Sequence, residues 1–482
     1  MELQLTLKGQ ENLIRQIYHQ LRQAVLEGRL AAGDRLPSTR ELASQLNVAR
    51  KTVTLAYDLL FSEGIIAGRP GSGTFVSDHV PPAPQKDSRR RSISSIQVRP
   101  AWRNAASQTL FPADRTRYSF RLGVPDISSF PFAVWRNLLS AGSKAAAMSG
   151  YDVDPNGLPE LRQAIAKYIA FTRAVRCEAS DILITNGAQE AFDLIGRVLL
   201  GPADTVAVEE PGYPPVRSVL ESQGARVSGV PIDEQGILID RIPKGAKAIY
   251  VTPSHQFPTG GVMSLSRRLA LIEWAASRGV AIIEDDYDSE FRFEGRSLES
   301  LQNLDRHGVV LYVGTFSKIL FPAIRLGFVV APKPLLAALS IAKRITDGYS
   351  SLLKQATLAK FIQQGHLGRH VRRMRRLYSN RRAVLLAGIK KTLSPWLVPI
   401  SSAAGLHVSA YTVPGLDDQA LTRLAKRSDV GVRPLSSLYK NPNGRHGLIL
   451  GYGATNSQDI EEGLRRLGSI LEKIGATHHS RG

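Results

Sequence analysis

Apolar side chains recur at helical spacing in three stretches near the start of the chain. Ser38 precedes the second stretch and Glu41 follows three residues later, which is the pattern of a capping box at a helix N-terminus. The pattern therefore predicts three helices. They span residues 13 to about 28, 39–46 and about 50–63.

Two short apolar runs follow, Ile65–Ala67 and Thr74–Val76, on either side of a glycine-rich turn. They predict a hairpin of two strands. Earlier in the chain, Gly33–Pro37 predicts a turn between the first two helices. Three helices followed by a two-stranded hairpin have the element order of a winged helix-turn-helix. The start of the third helix offers donors to phosphates and base edges, namely Arg50, Lys51, Thr52 and Thr54.

From Tyr118 onward, apolar runs of strand length alternate with helical patterns, which predicts an α/β sheet. In parallel sheets the functional residues lie at the carboxyl ends of the strands. The polar residues that end these runs are therefore the candidates for a site. The predicted strands are Ile182–Thr185, Thr205–Val208, Ala248–Val251, Ala281–Glu284, Val309–Val313 and Leu326–Val330.

Lys318 lies in a small-residue turn between two of these apolar runs. A buried lysine lowers its pKa readily, which suits it to Schiff-base chemistry. Seven residues later, Arg325 has the planar fork that binds a phosphate. The pattern alone leaves a second interpretation open, in which Lys318 is solvated and Arg325 is paired with a carboxylate.

Three other strand ends carry candidate residues. Gly187-Ala188-Gln189 forms a turn into a helix, whose free backbone amides could bind a phosphate. Tyr213 either stacks on an aromatic cofactor ring or is a tyrosine at the rim of the core. Asp285 could pair with a protonated pyridine nitrogen. The rival hypothesis is a metal site at Asp285, Asp286 and Asp288. The sequence lacks the nearby histidine and the following glycine loop that would support such a site.

Composition narrows the class of protein. The chain has 482 residues with 43% hydrophobic content, enough for two or three domains with a sizeable core. A net charge of +20 predicts a polyanionic partner, most simply nucleic acid. The single cysteine, Cys177, fits a reducing cytoplasm. The chain has neither an apolar run long enough for a membrane span nor an export pattern at its N-terminus.

The positive charge is unevenly distributed. Residues 1–80 hold nine Lys and Arg against eight Asp and Glu, so the net charge of the predicted winged helix is only about +1. Residues 78–117, with Pro81–Pro84 and Arg89–Arg91, predict a mobile basic tether. Residues 365–391 contain nine Lys and Arg and no acid. This run is either a solvated helix face or a surface against which DNA could wrap.

Residues 10–77 resemble the GntR-type DNA-binding domain. The matching segments are Leu36–Ala43, Val48–Val53, Glu63-Gly64 and Gly71–Val76. The resemblance implies that double-stranded operator DNA is the partner. It implies that Arg40, Arg50 and Thr52 contact DNA and that the wing tip from Gly71 to Gly73 approaches the minor groove. We also expect Ser38, Lys51, Thr54 and Arg69 at this interface.

Residues 118–475 resemble the fold-type I aminotransferases (class I/II), which have a three-layer α/β domain and depend on pyridoxal 5'-phosphate (PLP). The likeness rests on Gly314–Lys318 with Pro322 and Arg325–Gly327, and on the segments Pro253–Gly260 and Asp285–Phe291. It implies that Lys318 forms the Schiff base with PLP. These enzymes are dimers with active sites at the subunit interface, so the resemblance also implies a homodimer.

The resemblance assigns the remaining cofactor contacts. Asp285 would pair with the pyridine nitrogen, Tyr287 with the ring hydroxyl, and Tyr213 would stack on the ring. Tyr151 would reach the phosphate across the dimer interface. The other phosphate contacts would be Gly187, Ala188, Gln189, Thr315, Ser317 and Arg325.

A winged helix joined to such a domain resembles the MocR/GabR subfamily of GntR regulators. Phe257 stands where ordinary aminotransferases have an asparagine, as it does in these regulators. Ile449 stands where the enzymes have the arginine that binds the substrate carboxylate. Arg433 and Arg445 are candidate replacements for that arginine, and the sequence does not decide between them. The departures favour a regulator over an efficient transaminase.

The sequence therefore predicts a DNA-binding domain over residues 10–77, a basic linker over 78–117 and a PLP-binding effector domain over 118–475. We expect a cytoplasmic, PLP-dependent transcriptional regulator that binds no metal and no membrane. Its effector would be PLP, an amine or an amino acid sensed at Lys318. Two alternatives are a PLP-dependent aminotransferase with an appended DNA-binding module and a DNA-binding protein whose large domain is inactive.

Overall fold

The chain divides into two compact units, Met1–Gln97 and Val98–Gly482. The computed structural model describes residues 5–9, 11–79, 102, 115–148, 153–295, 299–441 and 443–479. Most of the predicted linker, and Tyr151, lie outside these residues. None of the helices described is long and apolar enough to cross a membrane.

The first unit contains three helices and a three-stranded sheet. The helices are α1 Leu13–Leu26, α2 Thr39–Gln45 and α3 Arg50–Ser62. The strands are β1 Arg35–Leu36, β2 Ile66–Arg69 and β3 Gly73–Val76, in the order β1-β3-β2. The prediction of a turn at Gly33–Pro37 and of a two-stranded hairpin was therefore incomplete. Arg35 pairs with Phe75 in an antiparallel register, and a strand of two residues is too short to show an alternating pattern.

The helices of this unit pack their predicted apolar faces together. Leu21 of α1, Leu42 of α2 and Val53 of α3 are buried in one hydrophobic cluster. The predicted capping box is confirmed: the Glu41 amide donates to Ser38 Oγ at 3.2 Å, and the Ser38 amide donates to Glu41 Oε2 at 3.4 Å. This cap starts α2 at the expected residue.

The second unit is a larger α/β structure. Its strands are β4 Tyr118–Ser119, β5 Ile182–Thr185, β6 Thr205–Glu210, β7 Arg226–Asp233, β8 Gly236–Ile237, β9 Ala246–Val251, β10 Ala281–Asp286, β11 Val310–Thr315, β12 Gly327–Val330, β13 Leu397–Pro399, β14 His407–Thr412, β15 Val430–Gly431, β16 Arg433–Pro434 and β17 Gly447–Gly451. Its helices are α4 Phe132–Met148, α5 Pro159–Arg173, α6 Ala188–Leu199, α7 Pro214–Ser222, α8 Leu265–Ala276, α9 Leu301–Leu304, α10 Lys333–Asp347, α11 Leu352–Gln363, α12 His366–Gly388, α13 Asp418–Arg427 and α14 Ser457–His479.

The main sheet has eight strands in the order β5-β12-β11-β10-β9-β6-β7-β8. Neighbouring strands from β11 to β7 are parallel, whereas β12 is antiparallel to both β11 and β5. The carboxyl ends of β5, β6, β9, β10 and β11 therefore meet at one edge of the sheet. All six predicted strands are present, which confirms the expected α/β architecture.

Helices cover both faces of the main sheet. Along β5, Ile182 and Ile184 pack into one hydrophobic cluster with residues of α4, α5 and α11, whereas Leu183 packs into another with α6, α7 and α10. These layers enclose the sheet, as expected for the three-layer fold. A smaller sheet, β13-β14-β17-β16, packs with α12 and α14 in a third cluster.

Candidate functional site

A cavity of about 330 Å³ lies where the main-sheet strands end. The structure brings nine of the predicted cofactor residues together around it: Ala188, Gln189, Tyr213, Asp285, Tyr287, Thr315, Ser317, Lys318 and Arg325. The parallel strands explain this convergence, since residues far apart in sequence follow strand ends at the same edge. The other lining residues were not predicted as cofactor contacts: Arg121, Leu122, Gly123, Val124, Tyr250, Phe257, Asp288, Pro322 and His407.

Lys318 follows β11 and reaches the cavity wall. Its Nζ donates a hydrogen bond to the Gly123 carbonyl oxygen at 2.8 Å. Gly123 has φ +64, a backbone conformation that favours glycine, and a Cβ there would lie 2.5 Å from Nζ and would displace the lysine amine from its present position. Burial lowers the pKa of Lys318, although the charges of Asp288 and Asp285 oppose the shift. Lys318 is therefore not the freely solvated lysine of the alternative interpretation, since it is half-buried in the cavity wall. The lowered pKa increases the fraction of the nucleophilic, unprotonated amine.

One end of the cavity has the donors that a phosphate needs. Gly187, with φ +87, is the N-cap of α6, and a Cβ there would lie 3.2 Å from the Arg325 guanidinium carbon. Arg325 forms no ion pair with any residue that the structure describes, so the predicted alternative of a carboxylate partner is wrong. The Ser317 hydroxyl is buried and has no hydrogen-bond partner among these residues. A guanidinium, a free hydroxyl and a helix N-terminus together fit a phosphate group.

Asp285 is the penultimate residue of β10 and lines the cavity. The Tyr250 hydroxyl donates to Asp285 Oδ2 at 2.6 Å, whereas Asp285 Oδ1 is buried without a hydrogen-bond partner in the described part of the chain. Burial raises the pKa of Asp285 to about 7. A buried carboxylate oxygen that lacks a partner fits the protonated nitrogen of a pyridine ring.

The raised pKa predicts an unusual pH dependence for Asp285→Asn. In the cofactor-free protein the raised pKa of Asp285 stabilises the fold at low pH, and this stability is lost as pH rises through about 7. Asparagine stays neutral, so the variant should have a higher Tm than the wild type at about pH 8 and an equal Tm at about pH 4. With PLP added, the wild type should be the more stable. Calorimetry of both proteins across this range checks the prediction, and a wild type that is the more stable without PLP at high pH would contradict it.

The acidic cluster that follows β10 does not converge on one point. Asp286 Oδ2 accepts hydrogen bonds from Arg173 and Tyr312, each at 2.6 Å. Asp288 is bound to His255 at 2.9 Å and accepts from the Leu406 amide. Because Asp285, Asp286 and Asp288 have separate protein partners, this geometry argues against a shared metal ion at the cluster.

Two histidines were missed as functional candidates: His407, which lines the cavity, and His255, which contacts two of the lining residues. His255 Nδ1 lies 2.9 Å from the Tyr287 hydroxyl as well as from Asp288. His407 lies 2.8 Å from the Pro258 carbonyl oxygen, and burial lowers the pKa of His407 to about 4, so this ring is neutral. His255 belongs to the distinctive segment Pro253–Gly260, which was the one available signal for it.

Tyr213 packs edge-on against Phe257, with ring centroids 5.4 Å apart. Burial raises the pKa of Tyr213 to about 12, so the phenol stays protonated. Gln189 Nε2 lies 3.5 Å from the Tyr213 hydroxyl, at the limit of a hydrogen bond. The side chain is therefore part of the cavity wall and available to contact a ring.

Phe257 also belongs to an apolar cluster beside the cavity, with Leu435, Leu438 and Ile449. Ile449 is fully buried, and Arg433 is its partner across β16 and β17. A carboxylate placed against the apolar side chains of this cluster would lose its hydration without gaining a partner from them. Arg445 stacks on Tyr411 instead, with its guanidinium carbon 3.3 Å from the ring centroid, and neither Arg433 nor Arg445 lines the cavity.

In the first unit the expected DNA contacts lie at the surface. Arg40, Arg50 and Lys51 are exposed, and Thr52 is half-buried. Arg50 Nε donates to Thr39 Oγ1 at 3.4 Å, which joins the starts of α2 and α3. These side chains form one polar surface at the entry to α3.

The remaining predicted contacts have local partners. Ser38 caps α2, and the Thr54 hydroxyl donates to the Arg50 carbonyl at 3.1 Å. Arg69 forms an ion pair with Asp78 at 3.4 Å. Gly71 and Gly73 both have positive φ, and a Cβ added at Gly71 would meet no described atom within 4 Å, so the wing tip is open to a partner.

Comparisons with known proteins match both units. Residues 13–76 match the family of bacterial regulatory proteins, gntR family, and residues 131–467 match aminotransferase class I and II. The chain is 38% identical to the probable rhizopine catabolism regulatory protein MocR of Rhizobium meliloti, over 96% of this chain and 95% of the relative. It is 32% identical to the pyridoxine biosynthesis transcriptional regulator PdxR of Corynebacterium glutamicum, over 92% and 93%.

The large unit also matches solved structures. A kynurenine aminotransferase from Pyrococcus horikoshii superposes with a TM-score of 0.70 and 25% identity, over 81% of this chain and 98% of that one. The fold around the cavity is thus that of an aminotransferase, while the relatives similar along the whole chain are named as regulators.

Proposed function

Because the chain belongs to the GntR-type transcriptional regulators that carry an aminotransferase class I and II domain, it is a DNA-binding regulator, and we propose that its large unit senses its signal through PLP held at Lys318. One observation carries the proposal. Lys318, the unpartnered oxygen of Asp285 and the phosphate-binding groups of Arg325 and Ser317 surround a single cavity. We further infer that the regulator acts as a homodimer.

Each residue has a separate task in this proposal. When bound, PLP supplies an aldehyde that condenses with amines and a ring that withdraws electrons. Lys318 offers the amine that condenses with the aldehyde, and Arg325 with Ser317 holds the phosphate. Asp285 keeps a proton on the ring nitrogen, and Tyr250 fixes the orientation of that carboxylate through its 2.6 Å hydrogen bond.

The cavity favours some signals over others. The apolar cluster at Phe257 and Ile449 disfavours a carboxylate on that side of the cavity. An ordinary amino acid would therefore have to place its carboxylate elsewhere in the cavity, for example near Arg121. The signal that fits is PLP itself or an amine without a carboxylate at this position. The name of PdxR, a regulator of pyridoxine biosynthesis, supports the first of these.

The test is binding of the purified full chain to the DNA upstream of its own gene, with and without PLP. We expect PLP to change the affinity for DNA by roughly 5- to 150-fold, the usual range of coupling between two sites. Pyridoxine 5'-phosphate, which keeps the phosphate and lacks the aldehyde, is the matched control and should have a smaller effect.

Two results would contradict parts of the proposal. An affinity that PLP leaves unchanged, and that one amine alters on the PLP-loaded protein, would exclude PLP itself as the signal. Transamination of common amino acids at about 1 to 1,000 per second would instead identify an enzyme.

A further inference from the structure

We propose that the exposed face of α12 is a second DNA contact, which binds the phosphate backbone beyond the segment bound by the winged helix. This inference rests on the proposed DNA-binding function and adds a surface to it. The surface, called the basic stripe below, consists of Arg369, Arg372, Arg373, Arg375 and Arg376.

The spacing of the stripe places it on one side of the helix. Arg369, Arg372, Arg373 and Arg376 recur at intervals of three and four residues, and all are exposed. The opposite side of the helix faces the core and carries Leu367, His370, Met374 and Tyr378, all buried. Seven residues of helix span about 10 Å, and duplex DNA presents one phosphate charge per roughly 1.7 Å of its axis. The stripe is therefore long enough to meet several phosphates.

The arginines of this helix fall into two groups, those with an ion-pair partner in the protein and those without one among the described residues. Arg381 and Arg382, further along α12, form ion pairs with Asp126 at 2.6 Å and Glu294 at 2.8 Å. In contrast, Arg372, Arg375 and Arg376 form no ion pair with any residue in the described part of the chain. Arg381 and Arg382 are therefore neutralised within the protein, whereas the arginines of the stripe can interact with solvent or with an external anion.

Neighbouring sequence provides no compensation for these charges. Residues 365–391 contain no acid, so the like charges at intervals of three and four residues repel each other and destabilise the helix. An ordinary solvated helix face carries both signs of charge. A continuous positive stripe in a DNA-binding regulator complements the phosphate backbone.

The distribution of charge along the chain supports DNA as the occupant. Residues 1–80 hold nine Lys and Arg against eight Asp and Glu, although they carry the winged helix. Sequence-independent attraction to DNA comes from neutralised phosphates and the release of their counterions. A module with almost no net charge contributes little of this attraction, and the stripe supplies it from the large unit.

The experiment compares two triple variants of the full chain. Arg372→Gln/Arg375→Gln/Arg376→Gln removes three charges of the stripe. Arg423→Gln/Lys426→Gln/Arg427→Gln on α13 is the matched control, with the same spacing, the same loss of charge and the same exposure. Each protein is titrated with upstream DNA trimmed to the protected operator and with the same DNA extended at both ends, at several salt concentrations.

We expect the stripe variant to lose about three units of the slope of log K against log salt on the extended DNA. Its affinity for that DNA should fall roughly tenfold or more at physiological salt, while its affinity for the trimmed DNA stays unchanged. The control variant should keep the wild-type slope on both. An unchanged melting temperature of each variant shows that the fold is intact.

Three results would overturn the inference. Equal losses in both variants would assign the effect to net charge and not to the stripe. A stripe variant that binds extended DNA normally but fails to regulate in cells would assign the surface to an acidic protein partner. A variant with wild-type binding and regulation would leave the stripe without either role. Failure of the wild type to bind even the trimmed operator would instead contradict the proposed function.

Discussion

Replacing Lys318 by alanine should abolish the covalent capture of PLP by the protein. Wild-type protein mixed with PLP should absorb in the visible and retain the cofactor covalently after reduction with borohydride. Lys318 is the one lysine among the described residues that line the cavity, so no other amine there can take its place. Because Arg325, Ser317 and Asp285 remain, the variant should still bind PLP reversibly. Mass spectrometry after reduction and denaturation measures the covalent fraction.

Lys247→Ala is the control for that experiment. Lys247 is an exposed residue of β9, and its loss should leave the reducible adduct intact. A Lys318→Ala protein that still carries a reducible adduct would show that another lysine is the attachment site. A gain of PLP fluorescence without an adduct would support reversible binding by the remaining residues.

The second large effect is a loss of DNA binding when two arginines of the small unit are replaced. Arg40→Ala/Arg50→Ala should weaken binding to operator DNA by about 30-fold or more, because each specific arginine contact contributes about 1–3 kcal/mol. Both side chains are exposed, so the fold should be unaffected. The visible spectrum of PLP-loaded protein should also stay unchanged, since the double variant leaves the cavity as it was. Fluorescence anisotropy with labelled upstream DNA measures the affinity.

Arg15→Ala provides the matched control for the arginine variants. Arg15 is an exposed residue of α1 in the same unit and is not among the predicted contacts. Its removal tests for the loss of one charge alone. Equal weakening by Arg15→Ala and by either single variant, Arg40→Ala or Arg50→Ala, would show that the start of α3 does not bind the operator specifically.

Features that depend on local sequence could be predicted well. The strand Ile182–Thr185 is apolar over its first three residues because both of its faces are buried, and it was predicted with its observed bounds. The cap at Ser38 was predictable because both of its hydrogen bonds link residues three apart. Lys318 could be singled out because a lysine between two buried runs is rare.

Features that depend on distant contacts could not be predicted. The hydrogen bond from Lys318 to Gly123 joins residues 195 apart, and the one from His407 to Pro258 joins residues 149 apart. Strand β7, Arg226–Asp233, was missed because exposed and half-buried positions and a proline interrupt its apolar pattern. The short strand Arg35–Leu36 owes its existence to its neighbour, Gly73–Val76, and not to its own pattern.

The apolar cluster beside the cavity has a consequence for how such proteins diverge. Leu435, Leu438 and Ile449 belong to the small sheet and its connections, whereas Asp285 and Lys318 lie at the carboxyl ends of strands of the main sheet. Substitutions in the cluster can therefore alter which molecule fits while the residues proposed to hold the cofactor stay as they are. A descendant of this gene could therefore come to respond to a different small molecule by a few changes at these positions, without altering the residues proposed to hold PLP or those of the DNA-binding unit.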